Sequence, residues 1–262
     1  MTDALRFEGL RLSTIRSTYW SLSLGLLLCG LVALGLGLDT RGTDVGAAEA
    51  TLLLTAGGES LPFSLMGFAA ALVGIFATGH EYRYGTILPT LTAMPRRSAL
   101  LAAKLLVVVA SAAVAAVAVI AVCWLVGTVT RGEPLPLVQG PIPAVTAGHV
   151  VLVMLYGLLG ATLGQLTRSI PAAVAIMLVT PLLIEPVIAA LSGLSALSWL
   201  REVVPYLPYT AGMRLVGAGL AGASEGQSVL DPFARWEGGL VFAGFTALLL
   251  ALAWILFERR DA

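Results

Sequence analysis

One carboxylate, Glu185, stands well inside a long apolar run (TPLLIEPVIAAL), with Pro181 and Pro186 on either side of it. An ionisable group in hydrocarbon is costly and by default marks a functional position. Three roles fit its surroundings: contact with a cationic substrate, carriage of a proton, or hydrogen bonding to backbone groups that the prolines leave unpaired. His80-Glu81 opens like the HExxH zinc-protease motif, but the fifth position is Tyr84. The other histidine, His149, lies in a separate apolar run, so no zinc ligand set is assembled. Ser195 is followed by Ala196, which departs from the Gly-x-Ser-Gly of rhomboid proteases. The chain contains no GxxxxGK[ST] phosphate loop, so hydrolysis of ATP is not expected on it. An intramembrane enzyme would require Glu185 and His149 to meet, and nothing in their spacing suggests that they do.

The densest polar pattern is elsewhere, in Gly79 to Lys104 (GHEYRYGTILPTLTAMPRRSALLAAK). His80, Glu81, Tyr82 and Arg83 leave an apolar run, and Gly85-Thr86 follows. Tyr84, Ile87, Leu88 and Leu91 are spaced to give one apolar stripe on a short helix. Pro89 weakens that helix and Pro95 ends it. Arg96 and Arg97 then sit at the membrane surface, and Lys104 snorkels from the start of the next apolar run. Two readings fit these residues alone: a rigid surface element that passes force from a soluble partner into the membrane, or an ordinary basic loop.

The elements that must position these residues are membrane spans. Of 262 residues, 58% are hydrophobic and 11% charged, against about 25% charged in a soluble domain. So little charge cannot cover a water-facing surface, and the class is a polytopic, all-α membrane protein. The zero formal net charge gives no reason to propose a nucleic-acid partner. Cys29 and Cys123 lie within apolar runs as small packing residues.

Six runs are long enough to cross a bilayer: Tyr19–Leu38, Leu61–Gly79, Ala99–Val129, Ala144–Thr167, Ile170–Leu191 and Gly238–Phe257. The chain therefore reads as one transmembrane domain, with residues 1–18 as a cytoplasmic or interfacial segment, 80–98 as an inner connection and 192–237 as an outer one. The first run exceeds a signal-peptide core and ends without a cleavage site, so it is expected to be retained. Only Arg168-Ser169 separates the fourth and fifth spans, with Pro171 placed to start the latter. With the N-terminus inside, the inner side carries Arg6, Arg11, Arg16, Arg83, Arg96, Arg97, Lys104, Arg168, Arg259 and Arg260. The outer side carries Arg41, Arg131, Arg201, Arg214 and Arg235. The basic residues thus predict both termini inside.

The order Glu81-x-Arg83-x-Gly85-Thr86-Ile87, an apolar run, Pro95-Arg96-Arg97 and then Lys104 resembles the permease subunits of ABC-2-type transporters. The resemblance covers essentially the whole chain. It implies that Glu81, Tyr82, Arg83, Gly85, Thr86, Ile87, Leu91, Pro95, Arg96 and Arg97 form a coupling helix seated in a cleft of a separate cytoplasmic ABC ATPase. ATP and magnesium would be held on that partner and no cofactor on this chain. A second permease copy, identical or related, would complete the transporter in a bacterial cytoplasmic membrane. Within the family, Glu81 and Arg83 would anchor the coupling helix by charge pairing.

Ser192 to Glu237 is too long for a turn and too apolar for disorder. Two short helices broken at Pro205 and Pro208, dipping into the outer leaflet with Tyr and Trp at headgroup level, fit its composition. Pro205, Tyr206, Leu207, Pro208 and Tyr209 also resemble the outer re-entrant hairpin of the same family, which implies a gate over the exit. The expected function is outward movement of a small hydrophobic or amphiphilic substrate. The alternative is a non-transporting sensor or immunity subunit that binds an ATPase or antibiotic.

Overall fold

The computed structural model describes residues 2–86, 97–217 and 235–259, and these are helical with short connections. In chain order the helices are α1 (Thr2–Thr14), α2 (Arg16–Asp39), α3 (Ala47–Leu54), α4 (Leu65–Arg83), α5 (Arg97–Arg131) and α6 (Ile142–Thr167). They continue with α7 (Ile170–Val179), α8 (Glu185–Leu191), α9 (Leu200–Val203), α10 (Pro208–Met213) and α11 (Arg235–Arg259). A π-helical turn, Thr180–Ile184, joins α7 to α8. Short 3-10 turns flank α9 and α10.

Among the described residues, five helical segments are long and apolar enough to cross a membrane: α2, α5, α6, the α7–α8 unit and α11. The remaining long helix, α4, is expected from the sequence to end at Gly79 but runs on to Arg83. Its start is set by Ser64, whose hydroxyl accepts from the Gly67 amide at 3.0 Å. Its end is set by Gly85 at φ +64°, with the Thr86 amide reaching back to the Glu81 carbonyl at 3.0 Å. That pattern closes a helix with a glycine in the left-handed region. Glu81, Tyr82 and Arg83 therefore continue α4 instead of leaving it.

The centre of the molecule is the crossing of α4 and α6. A β-carbon on Gly160 would fall on the Ala71 backbone, and one on Gly74 would fall on the Gly157 and Ala161 backbones. Close approach of this kind is how helices associate where lipid offers no hydrophobic drive. The Thr78 hydroxyl, 3.2 Å from the Ala161 carbonyl, adds a polar link across the same seam. On α2, Gly25, Cys29, Ala33 and Gly37 recur every four residues and are buried. Cys29 and Cys123 are both free and buried, with the Cys123 thiol 3.8 Å from the Cys29 carbonyl.

The α6–α7 turn puts Arg168 at φ +52°, and its guanidinium lies over the Tyr82 ring, 5.0 Å from the centroid. Helix α3, unanticipated from sequence, packs Ala50 and Leu54 against Ile142. At the far end of α5, Arg131 donates to the carbonyls of Thr40 (2.9 Å) and Thr43 (3.0 Å) just past α2.

Gly160→Leu should lower the thermal midpoint in detergent, by the equivalent of about 1–3 kcal/mol for an overpacked contact. Gly35→Leu, at a position with open space around it, should leave the midpoint unchanged. Equal midpoints for the two variants would refute the close α4–α6 seam.

Candidate functional site

Two buried polar constellations stand out, one among α1, α4 and α5 and the other where α8 meets α10. The first is built by α1, α4 and α5. Glu8 and Arg11, three residues apart on α1, share a face and approach at 3.4 Å. Arg11 also pairs with Glu81 of α4 and donates to the Ala77 carbonyl at 3.3 Å. Lys104, near the start of α5, pairs with the other oxygen of Glu81 and lies 3.7 Å from Glu8.

Two carboxylates and two cations thus form one closed quartet. Glu8 and Glu81 are each 1% exposed and Lys104 is 2% exposed. Burial of a charge costs several kcal/mol unless it is paired, so each member depends on the others. Burial pushes the Glu8 carboxyl above its ordinary value, and the nearby Lys104 and Arg11 charges pull it back down. Glu8 Oε1 has no hydrogen bond among the described residues and lies at ion-pair distance from Lys104.

This arrangement changes the roles expected from sequence. Glu81 does carry charge pairs, but they are internal ones that tie α4 to α1 and α5. Lys104 does not snorkel; a longer reach to water would break its pairs with both carboxylates. Tyr82 is partly buried and its hydroxyl accepts from Gln165 Nε2 of α6. Arg83, Tyr84, Gly85 and Thr86 are exposed beyond the quartet. The Arg83 guanidinium lies 5.7 Å from the centre of the Tyr84 ring. The expected coupling helix falls on Ile87, Leu88, Pro89, Leu91, Pro95 and Arg96, outside the described residues; Arg97 opens α5. Glu8 and Arg11 were not singled out by sequence reasoning, although their spacing on one helical face was a readable signal.

The second constellation centres on Glu185, the first residue of α8. Its Oε1 accepts from the Tyr209 amide at 2.8 Å. Its Oε2 accepts from the Thr210 amide and the Thr210 hydroxyl, both at 2.7 Å. Pro208 opens α10 and lacks an N–H, so the first donors left without an intrahelical partner are those of Tyr209 and Thr210. Glu185 supplies the missing cap from another helix, where a carboxylate also suits the positive end of the helix dipole.

The residues expected from the sequence to form the outer hairpin divide accordingly. Pro205 and Tyr209 are buried, Leu207 and Pro208 are partly buried, and Tyr206 is exposed. The Tyr209 ring sits 5.7 Å from Tyr156 and 5.6 Å from Phe242, and its hydroxyl reaches Met177 Sδ at 3.3 Å. Tyr156 lies 14 residues along α6 from Ile142, about 21 Å of helix. Segment 208–213 therefore reaches toward mid-height of the long helices. His149 of α6 is buried, with neither ring nitrogen hydrogen-bonded among the described residues, and it makes no hydrogen bond to Glu185. No group of three or more His, Cys, Asp or Glu suited to a metal occurs among the described residues.

A bundle of long apolar helices whose buried charges are paired or hydrogen-bonded within it defines a polytopic membrane protein. The chain belongs to the ABC-2 family of transporter proteins, whose family model matches residues 14–262. Comparison with curated proteins returned no match. Membership makes this chain a membrane transport subunit and implies association with an ABC ATPase.

Lys104→Met should destabilise the protein by about 3–5 kcal/mol, as removal of one partner from a buried charge set does. Adding Glu81→Gln should recover part of that loss, because Glu8 and Arg11 remain as a balanced pair; a double-mutant cycle in chemical denaturant measures the coupling. Strict additivity would dissolve the quartet. At the second constellation, Glu185→Ala should strip two buried amides of their acceptor and cost about 2 kcal/mol or more. Amide exchange should then rise in 208–213 while 142–167 stays protected. Unchanged exchange in 208–213 would deny Glu185 its capping role.

Proposed function

We propose that this chain is the membrane half of an ATP-driven exporter, working as a dimer of permease subunits with two copies of a separate ATPase that holds ATP and magnesium. In this reading α4 is a sixth span, both termini are cytoplasmic, and residues 192–237 lie on the outer side. The observation that carries the proposal is the buried quartet directly behind the exposed Arg83–Thr86 turn. A push on that turn acts on a helix end that is charge-locked to α1 and α5, so three elements move together. Interfaces and packed cores respond to such shifts as bodies, not by continuous deformation.

At the outer end, movement of α8 relative to α11 carries Glu185 with it. Because Glu185 caps α10, displacement of α8 drags or releases the Pro205–Tyr209 region, which in this reading is the exit gate. Glu185 then positions the gate instead of binding substrate. The substrate of this reading is small and hydrophobic or amphiphilic and enters from the bilayer.

The test is co-purification with an ABC ATPase subunit, sought first among neighbouring reading frames, followed by measurement of ATP turnover. Arg83→Ala removes an exposed contact and should weaken ATPase association about tenfold, the equivalent of one lost interaction of about 1.4 kcal/mol, with the chain still folded. Wild-type chain that neither binds the ATPase nor alters its turnover would overturn the proposal.

A further inference from the structure

A groove of about 520 Å³ runs along the outside of the bundle where α1 bends into α2 and both meet α5. Its walls include Gly9 and Ser13 of α1, Leu22 of α2, Met66 of α4, and Ser111 and Ala118 of α5. It belongs to neither constellation described above. The lining is overwhelmingly apolar, and the groove opens toward the surroundings of the helices instead of being enclosed. On α2 it extends from Thr18 to Leu26, about 12 Å at 1.5 Å per residue. That is close to the depth of one leaflet, about 15 Å of a 30 Å hydrocarbon core.

Two arginines stand one helical turn before wall residues of the groove. Arg6, Gly9 and Ser13 follow the i, i+3, i+7 spacing of one helical face. Arg16 precedes Tyr19, another wall residue, by three positions. Arg6 and Arg16 are exposed, whereas Arg11 and Lys104 are taken up by Glu8 and Glu81 in the quartet. Phe7 and Leu10 of α1 are also exposed, at 42% and 68%. Large apolar side chains beside arginines on a short helix suit a position flat against the membrane surface. The Tyr19 hydroxyl, donating to the Ser13 carbonyl at 2.6 Å, pins the bend and holds the mouth of the groove in shape.

We propose that this groove is a binding site for an anionic phospholipid, with one acyl chain along α2 and α5 and the phosphate between Arg6 and Arg16. The proposal rests on the membrane reading, and on an inward N-terminus for the leaflet that supplies the lipid. An apolar slot one leaflet deep takes an acyl chain, and two exposed guanidiniums at its mouth choose the headgroup. Each basic residue near the surface adds a favourable interaction with anionic lipid, so two give a preference over a zwitterionic headgroup of at least about tenfold.

The test uses the full-length chain alone in detergent. It is incubated with mixed micelles of phosphatidylglycerol and phosphatidylcholine in equal amounts, and retained lipid is counted by native mass spectrometry. Wild type should keep one phosphatidylglycerol per chain, with phosphatidylcholine at least about tenfold rarer. R6Q/R16Q should still keep one lipid but lose the preference. A118W, which fills the groove from a partly exposed position, should keep none while remaining monodisperse. Equal retention of the two lipids by wild type would overturn the proposal, as would unchanged retention in A118W. Because no ATPase is present, its failure and the failure of the permease reading are separate results.

Discussion

Everything where α1, α4 and α5 meet depends on four charges that cannot face hydrocarbon singly. Glu8, Arg11, Glu81 and Lys104 come from three helices and neutralise one another in a nearly water-free position. Desolvation makes such a set a weak source of net stability but a strong source of specificity, because any arrangement that strands one charge is heavily penalised. Helix α1, otherwise a short surface element, is thereby bound to the body of the bundle. The turn that ends α4 becomes the tip of a rigid unit instead of the start of a loose loop.

The same rule operates where α8 meets α10, with backbone groups in place of side chains. A short helix that begins with proline at the level of the long helices leaves amides with no water to satisfy them. Glu185 meets that need through Tyr209 and Thr210. The π-helical turn before it, which contains Pro181, belongs to an interruption that places the carboxylate at the start of α8. An acid that looks anomalous in the sequence is thus the cap of a helix that begins 23 residues further on. Between the two constellations, the glycine seam of α4 and α6 brings the backbones into contact, so displacement at one has a stiff route to the other.

The helical class and five of the six span-length runs read from the sequence follow from composition and run length, which need no knowledge of neighbours. The α6–α7 turn at Arg168-Ser169 and the helix start at Pro171 were legible for the same reason: they are local chemistry. Gly85 was visible as part of a motif, and its positive φ explains why that residue stands there. Helix α3 was not legible, because eight helical residues in a polar-flanked connection give no span-length signal. The extension of α4 to Arg83 was hidden because His80, Glu81 and Arg83 look like exit residues to any count of hydrophobicity.

The amino-acid sequence by itself determined that this chain is an all-helical membrane protein of the ABC-2 kind, with its most patterned polar segment between the second and third apolar runs. Tertiary structure alone decided what the charged residues do there. Whether Glu81 faces a partner or a neighbouring helix depends on Arg11, 70 positions earlier, and on Lys104, 23 positions later. Whether Glu185 is a site or a cap depends on where Tyr209 and Thr210 come to rest. A charge in a low-dielectric interior takes its role from whatever charge or dipole lies within a few ångströms. Those distances are set by how the helices pack, which no local stretch of sequence contains.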